Sequence, residues 1–113
     1  MLHNEGIGLW IERKRERSRG DIAIAFRDQR ITYDVLADRI TLLSSALKKR
    51  GVKPRDRVAY LGNNHPAFLE VFFATARIGA IFVPLNTRLA APELEFMLEN
   101  SRAKALIFHD ELR

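Results

Sequence analysis

The stretch VPLNTRLAAPELEFML, residues 83–98, contains the residue types best able to hold a ligand. Asn86, Thr87 and Arg88 follow an apolar run that ends at Pro84, and a proline-started, acid-rich stretch comes next. An amide, a hydroxyl and a guanidinium in succession offer donors to an anion, and guanidinium pairs especially well with phosphate oxygens. The plain alternative is that Asn86 and Thr87 shape a turn and a helix cap, with Arg88 on the surface. Asn63 and Asn64 form a second polar corner behind an earlier apolar run.

Other chemistries lack their residues. His3, His65 and His109 have no second ligand at metal-binding spacing on one helix face, so no metal site is expected. No serine sits in a nucleophile-elbow pattern. GIG at residues 6–8 is not preceded by a strand and lacks the third glycine of a dinucleotide fingerprint, and no P-loop is present. The absence of cysteine excludes disulfides, thiolate nucleophiles and Cys-based zinc sites, and fits a reducing compartment such as the cytoplasm. No residue can be named as catalytic.

The elements that must position the polar corners read clearly. Ile7, Trp10 and Ile11 share one helical face, predicting a helix from Ile7 to Arg17 that ends at Gly20 and Asp21. IAIAF (22–26) is β-prone, RDQR (27–30) reads as a turn, and ITY (31–33) returns as the second half of a hairpin. A helix over Tyr33–Arg50 has Thr32 as N-cap, Asp34 in its first turn, and Leu36, Ile40, Leu43 and Leu47 on one face. Basic residues fill its last turn, Gly51 suits the left-handed closing conformation, and Pro54 prevents continuation.

Strand RVAYL (57–61) follows, then a helix started by Pro66 with His65 or Asn64 as cap. Leu69, Phe72, Phe73 and Ala76 give this helix an apolar face, and Gly79 ends it. AIFVP (80–84) is a strand. Pro92 opens a helix with Leu94, Met97 and Leu98 facing inward, and AKALIF (103–108) is a further strand. Leu69, Phe72, Phe73 and Phe82 are expected in the core. Strand, helix, strand, helix, strand, with short and uniformly apolar strands, implies a parallel sheet covered by helices. The fold class is therefore α/β, a short parallel sheet with flanking helices plus an N-terminal helix and a β-hairpin. A phosphorelay receiver shares that order but needs an acidic cluster at its strand ends, where this chain has Gly62-Asn63-Asn64 and Pro84-Leu85-Asn86.

Composition sets the outer limits. The 113 residues, 47% apolar and 29% charged, suit one globular domain or part of one. The net charge of +5 gathers in ERKRERSR (12–19) and KKRGVKPRDR (48–57). Glu12 and Glu16 at helical spacing among the arginines suggest a solvated helix face. Arg55 and Arg57 read as solvated or paired with Asp56. Without aromatics interleaved on one face, the charge does not predict nucleic-acid binding. A weak peripheral attraction to acidic membranes or polyphosphates is the stronger electrostatic expectation. The greasiest window, residues 67–85, is broken by Glu70, Arg77 and Pro84, so no membrane span is expected. The start, MLHNEGIGLW, does not read as a signal peptide.

The ordered strings ITYDVLADRI, GVKPRDRVA, IGAIFVPLN and RLAAPELEFML resemble the N-terminal stretch of the adenylate-forming enzymes. VPLNTRL is most similar to fatty acyl-CoA ligases and their aryl relatives. The resemblance spans residues 7–110 and implies that residues 1–113 are an incomplete N-terminal portion of the AMP-binding, acyl-activating domain. It implies an ATP-dependent ligase in which a carboxylic acid, a fatty acid on this resemblance, attacks the α-phosphate of ATP with magnesium. CoA then displaces AMP. The resemblance also places Asn86, Thr87 and Arg88 beside the approach of CoA. The family's Ser/Thr/Gly-rich phosphate loop ending in Pro-Lys, its adenine- and ribose-binding residues and its C-terminal lysine have no counterpart here. The segment alone is therefore expected to bind no cofactor, to be inactive, and to self-associate through an open sheet edge and an uncovered apolar face. The competing reading is a non-catalytic truncated module used for association or folding.

Overall fold

The computed structural model describes residues 8–62, 65–85 and 91–108. It is an α/β arrangement with a two-stranded antiparallel hairpin and a three-stranded parallel sheet. Helix α1 spans Trp10–Ser18, strand β1 Ile22–Phe26, strand β2 Gln29–Thr32 and helix α2 Tyr33–Lys49. Strand β3 covers Arg57–Leu61, helix α3 Pro66–Arg77, strand β4 Ile81–Leu85, helix α4 Ala91–Ser101 and strand β5 Ala105–Phe108.

Local chemistry sets the boundaries. The Thr32 hydroxyl accepts from the Val35 N–H at 3.3 Å and starts α2. At its other end Gly51 takes φ +90°, Gly51 N–H donates to Lys48 O, and Val52 N–H donates to Leu47 O. This is a Schellman closure sealed by the buried pair Leu47 and Val52. Helix α3 ends in the same way at Gly79, φ +76°, with Ala80 N–H donating to Thr75 O. Helix α4 differs, because the left-handed position after it is occupied by Arg102, φ +56°. The hairpin turn is tighter than RDQR suggested. Gln29 already pairs with Phe26, leaving Arg27 and Asp28 as the turn, and Tyr33 belongs to α2.

The strand order is β4-β3-β5. Because right-handed crossovers leave central β3 and β4 in opposite directions, α3 and α4 lie on opposite faces. Val58, Tyr60, Phe82, Ala105 and Ile107 join the α3 side in one core with Val71, Ala74 and Ile78. Helix α2 packs on α3 through Leu36, Ala37, Ile40 and Leu47, and Ile11 of α1 closes over it. On the other face α4 meets β4, Ala59 of β3 is fully buried, and Arg57 donates to Ser101 O at 3.2 Å. Ile81 and Leu106, at the edges of that face, remain 44% and 41% exposed.

Two expectations change. The buried face of α3 is Val71, Ala74, Thr75 and Ile78 and Leu69 is exposed, while Phe73 and Phe82 pack half-buried against the core as expected and Phe72 is half-buried. Helix α3 is apolar on nearly every side, so periodicity could not choose the inner face. Met97 is exposed rather than inward because α4 meets the sheet along one narrow stripe, Leu98 being half-buried. Ile7 and the Leu94 side chain lie outside the described residues.

The ERKRERSR face is also more than a solvated surface. Arg15 binds both oxygens of Glu12 at 2.7 and 2.9 Å, Asp38 at 2.6 Å and Asp34 at 3.3 Å. Hydrogen bonds to Glu12, then Asp38, hold the Arg15 pKa above the ordinary arginine value. Arg77 extends the network from α3 to Glu12, the Gly8 carbonyl and the Thr41 hydroxyl at 3.5, 3.3 and 2.7 Å. Gly8 is required at this crossing, since a Cβ there would stand 2.7 Å from the Arg77 Cα. Arg55 and Arg57 are exposed, and Asp56 instead caps a turn by accepting from Lys53 N–H at 2.8 Å.

Candidate functional site

Parallel register collects the strand ends. Leu61 stands beside Leu85 on one side and Phe108 on the other. The connections that follow these three strands therefore leave from one edge of the sheet, the usual ligand-binding edge of open α/β sheets. Asn63 and Asn64 belong to the first connection, and Asn86, Thr87 and Arg88 to the second. All five lie outside the described residues. Of the residues before them, Gly62 and Leu85 are described, and Leu61, next to Gly62, pairs with Leu85.

The described residues near this sheet edge include an aromatic cluster. Tyr60 is 1% exposed and stacks at 6.3 Å on Phe82, with Phe68 edge-on to both rings at 5.8 and 5.2 Å. Phe72 meets Phe82 edge-on at 5.6 Å. Such offset and edge-on pairs add to the gain from burial and hold ring positions. Gly62 lies directly over the Tyr60 ring, and a side chain there would collide with the phenol. Glycine thus lets the chain leave β3 while the tyrosine fills the strand end. The string RVAYLG carried this signal without revealing that the ring folds back under the glycine.

His65 starts α3, with Pro66 in the first helical position. Its Nδ1 accepts from Ala67 N–H at 3.0 Å, so the sequence expectation of a capping histidine holds. The ring meets Phe26 of the hairpin edge-on at 5.3 Å. Beside it lies a groove of about 190 Å³ lined chiefly by Ile24, Phe26, Pro66, Phe68 and Leu69. This apolar groove was not anticipated, because it arises where a hairpin meets a helix distant in sequence.

The described side chains at this edge offer shape and apolar surface. Among the described residues, no three His, Cys, Asp or Glu side chains gather to hold a metal ion, and no helix is long and apolar enough to cross a membrane.

Comparison with known proteins gives a consistent result. The AMP-binding enzyme family matches residues 11–113. The chain is 44% identical over 110 residues to a feruloyl-CoA synthase of an Amycolatopsis species, covering 97% of this chain and 22% of that protein. It is 43% identical over 84 residues to the long-chain-fatty-acid–CoA ligase FadD13 of Mycobacterium tuberculosis, covering 72% of this chain and 16% of that ligase. The solved Mycobacterium tuberculosis fatty acyl CoA synthetase superposes with a TM-score of 0.83 at 35% identity, covering 90% of this chain and 21% of that one. The chain thus spans about a fifth of the length of such relatives.

Proposed function

The chain belongs to the AMP-binding enzyme family, and on that premise we propose that it forms the N-terminal portion of the acyl-activating domain of an ATP-dependent acid–CoA ligase. The match over residues 11–113 to a family whose relatives include CoA ligases carries this reading. The reaction joins a carboxylic acid, here proposed to be a fatty acid, to CoA in the cytoplasm. ATP and magnesium supply the activation of the acid. The donor set of this chain does not fit them, since its sequence holds no phosphate loop and its described residues gather no three His, Cys, Asp or Glu side chains that could hold a metal ion. The chain's proposed contribution is the platform of Tyr60, Phe68 and Phe82 and the corner Asn86-Thr87-Arg88. That corner's amide, hydroxyl and guanidinium suit the phosphates of CoA.

The full-length enzyme tests the activity. Acid-dependent exchange of pyrophosphate into ATP, followed by CoA thioester formation, is expected with a long-chain fatty acid and weaker with ferulate. A preference for ferulate would overturn the fatty-acid assignment, and no exchange with any acid would overturn the ligase reading. Arg88→Ala should raise KM for CoA roughly tenfold, an exposed phosphate contact being worth about 1–2 kcal/mol. Pyrophosphate exchange, which uses no CoA, should stay near normal. Equal loss in both half-reactions would make Arg88 a scaffold residue. The 113-residue chain by itself should give no micromolar binding isotherm with ATP and magnesium.

A further inference from the structure

Helix α1 is held to the rest of the chain by charge more than by packing. Ile11 is its one buried side chain. Trp10 stacks on Phe73 of α3 at 6.4 Å but stays 48% exposed. Against this modest apolar contact stands an ionic network. Arg15 reaches Asp34 and Asp38 of α2, Arg77 of α3 reaches Glu12, and Lys14 lies over the Tyr33 ring at 5.8 Å. Residues 10–19 carry five cations and two anions, so the segment as a whole is drawn to the carboxylates of Asp34 and Asp38. Single solvated pairs are worth little, but a network around one bidentate arginine is worth more. The Asp38 side chain is 68% exposed, so these attractions lie within reach of dissolved salt.

The chain behind α1 is fastened separately. Asp34 N–H donates to Arg19 O at 3.2 Å, and Tyr33 N–H donates to Asp21 O at 3.0 Å. The hairpin is therefore tied to the start of α2 by backbone bonds that owe nothing to α1. A hinge between Ser18 and Arg19 lets α1 leave while the hairpin, α2 and α3 keep their contacts. A helix of nine residues does not persist alone in water, so α1 unwinds when it leaves. We propose that α1 is an electrostatic strap, which undocks and unwinds as one unit when salt screens Arg15 and Arg77 from their carboxylates, and so uncovers Phe73 and the seat of Ile11. The strap and its anchors are all described residues of this chain. Neither a sheet edge nor the α4 face takes part, and the release is independent of the ligase reading.

Trp10 is the chain's one tryptophan, so its fluorescence reports on the strap. Acrylamide quenching of Trp10 and amide exchange of the 113-residue chain should be followed from ~10 mM to ~1 M sodium chloride, over which the Debye length falls from ~30 Å to ~3 Å. Quenching is expected to deepen with salt. Exchange of the Arg13 N–H, which donates to Leu9 O, should become roughly tenfold faster, while the Val58 and Tyr60 amides of β3 keep their rates. Asp38→Asn removes an exposed carboxylate that binds Arg15, and should speed α1 exchange at low salt and flatten its salt dependence. Asp38→Glu keeps the charge and should keep most of the wild-type response. Ile11→Ala should also speed α1 exchange, but with the salt dependence intact. Exchange on α1 that salt leaves unchanged or slows would make the docking apolar and overturn the proposal. Equal acceleration on α1 and β3, or an undiminished salt response in Asp38→Asn, would overturn it as well.

Discussion

The two faces of the parallel sheet are built to different standards. On the α3 side, Val58 and Tyr60 are buried beneath α3, α2 packs on α3, and Arg15 and Arg77 tie α1, α2 and α3 together. Helices α2 and α3 close on glycine. On the other side α4 is the one helix among the described residues. Phe96 is 67% exposed, Ile81 and Leu106 line bare margins, and the helix closes on Arg102 in a conformation that suits glycine. The α3 side therefore carries the fold, while on the α4 side the described residues Phe96, Ile81, Leu106 and Met97 stay exposed. The same strands serve both faces, so the difference comes from what has been laid over them.

Substitutions on the two faces should separate sharply. Tyr60→Ala removes the largest fully buried side chain, against Phe68 and Phe82, and should cost about 3–5 kcal/mol, enough to unfold much of the chain in a denaturant titration. A loss below ~1 kcal/mol would mean that the aromatic platform is not the core of the α3 side. Next comes Arg15→Ala, which leaves Glu12, Asp34 and Asp38 facing one another and should cost about 1–2 kcal/mol. The melting temperature should fall by several degrees, and less so in high salt. Because the folded pKa of Arg15 is raised, its contribution is complete below the unfolded arginine value and fades only as pH rises through the folded one. That window lies far above neutrality, so titration of Arg15 itself brings no pH dependence to this loss near neutral pH.

On the α4 side the effects should shrink and change sign. Arg102→Gly relieves a left-handed backbone at a helix end and should raise stability by about 1 kcal/mol, readable as a higher urea midpoint at constant slope. No gain would indicate that the Arg102 side chain repays its backbone strain. Smallest of all, Phe96→Ser should move stability by no more than ~0.5 kcal/mol while improving solubility. A loss as large as that of Tyr60→Ala would erase the contrast between the faces.

Most element boundaries were legible from local chemistry. Thr32 and His65 cap the helices assigned to them, and Gly51 and Gly79 close them, because these signals act over a few residues. The parallel sheet was legible too, since Val58, Ala59 and Tyr60 in succession can be buried only in a strand covered on both faces. The candidate corner Asn86-Thr87-Arg88 was visible as residue types, and the register of Leu61 with Leu85 and Phe108 adds that its connection leaves from the same edge as its neighbours.

What the sequence determined by itself was the order of elements, their caps and their approximate faces, all set by contacts between near neighbours. Only the tertiary structure decided which side of α3 turns inward, because an all-round apolar helix has no preferred face until a sheet and a second helix arrive. It alone joined Glu12, Arg15, Asp34, Asp38 and Arg77 into one network, since charges far apart in sequence become partners through packing. It also left Met97 and Leu106 partly exposed, where the helix pattern and the uniformly apolar strand pointed inward, because burial depends on whether another layer covers the face.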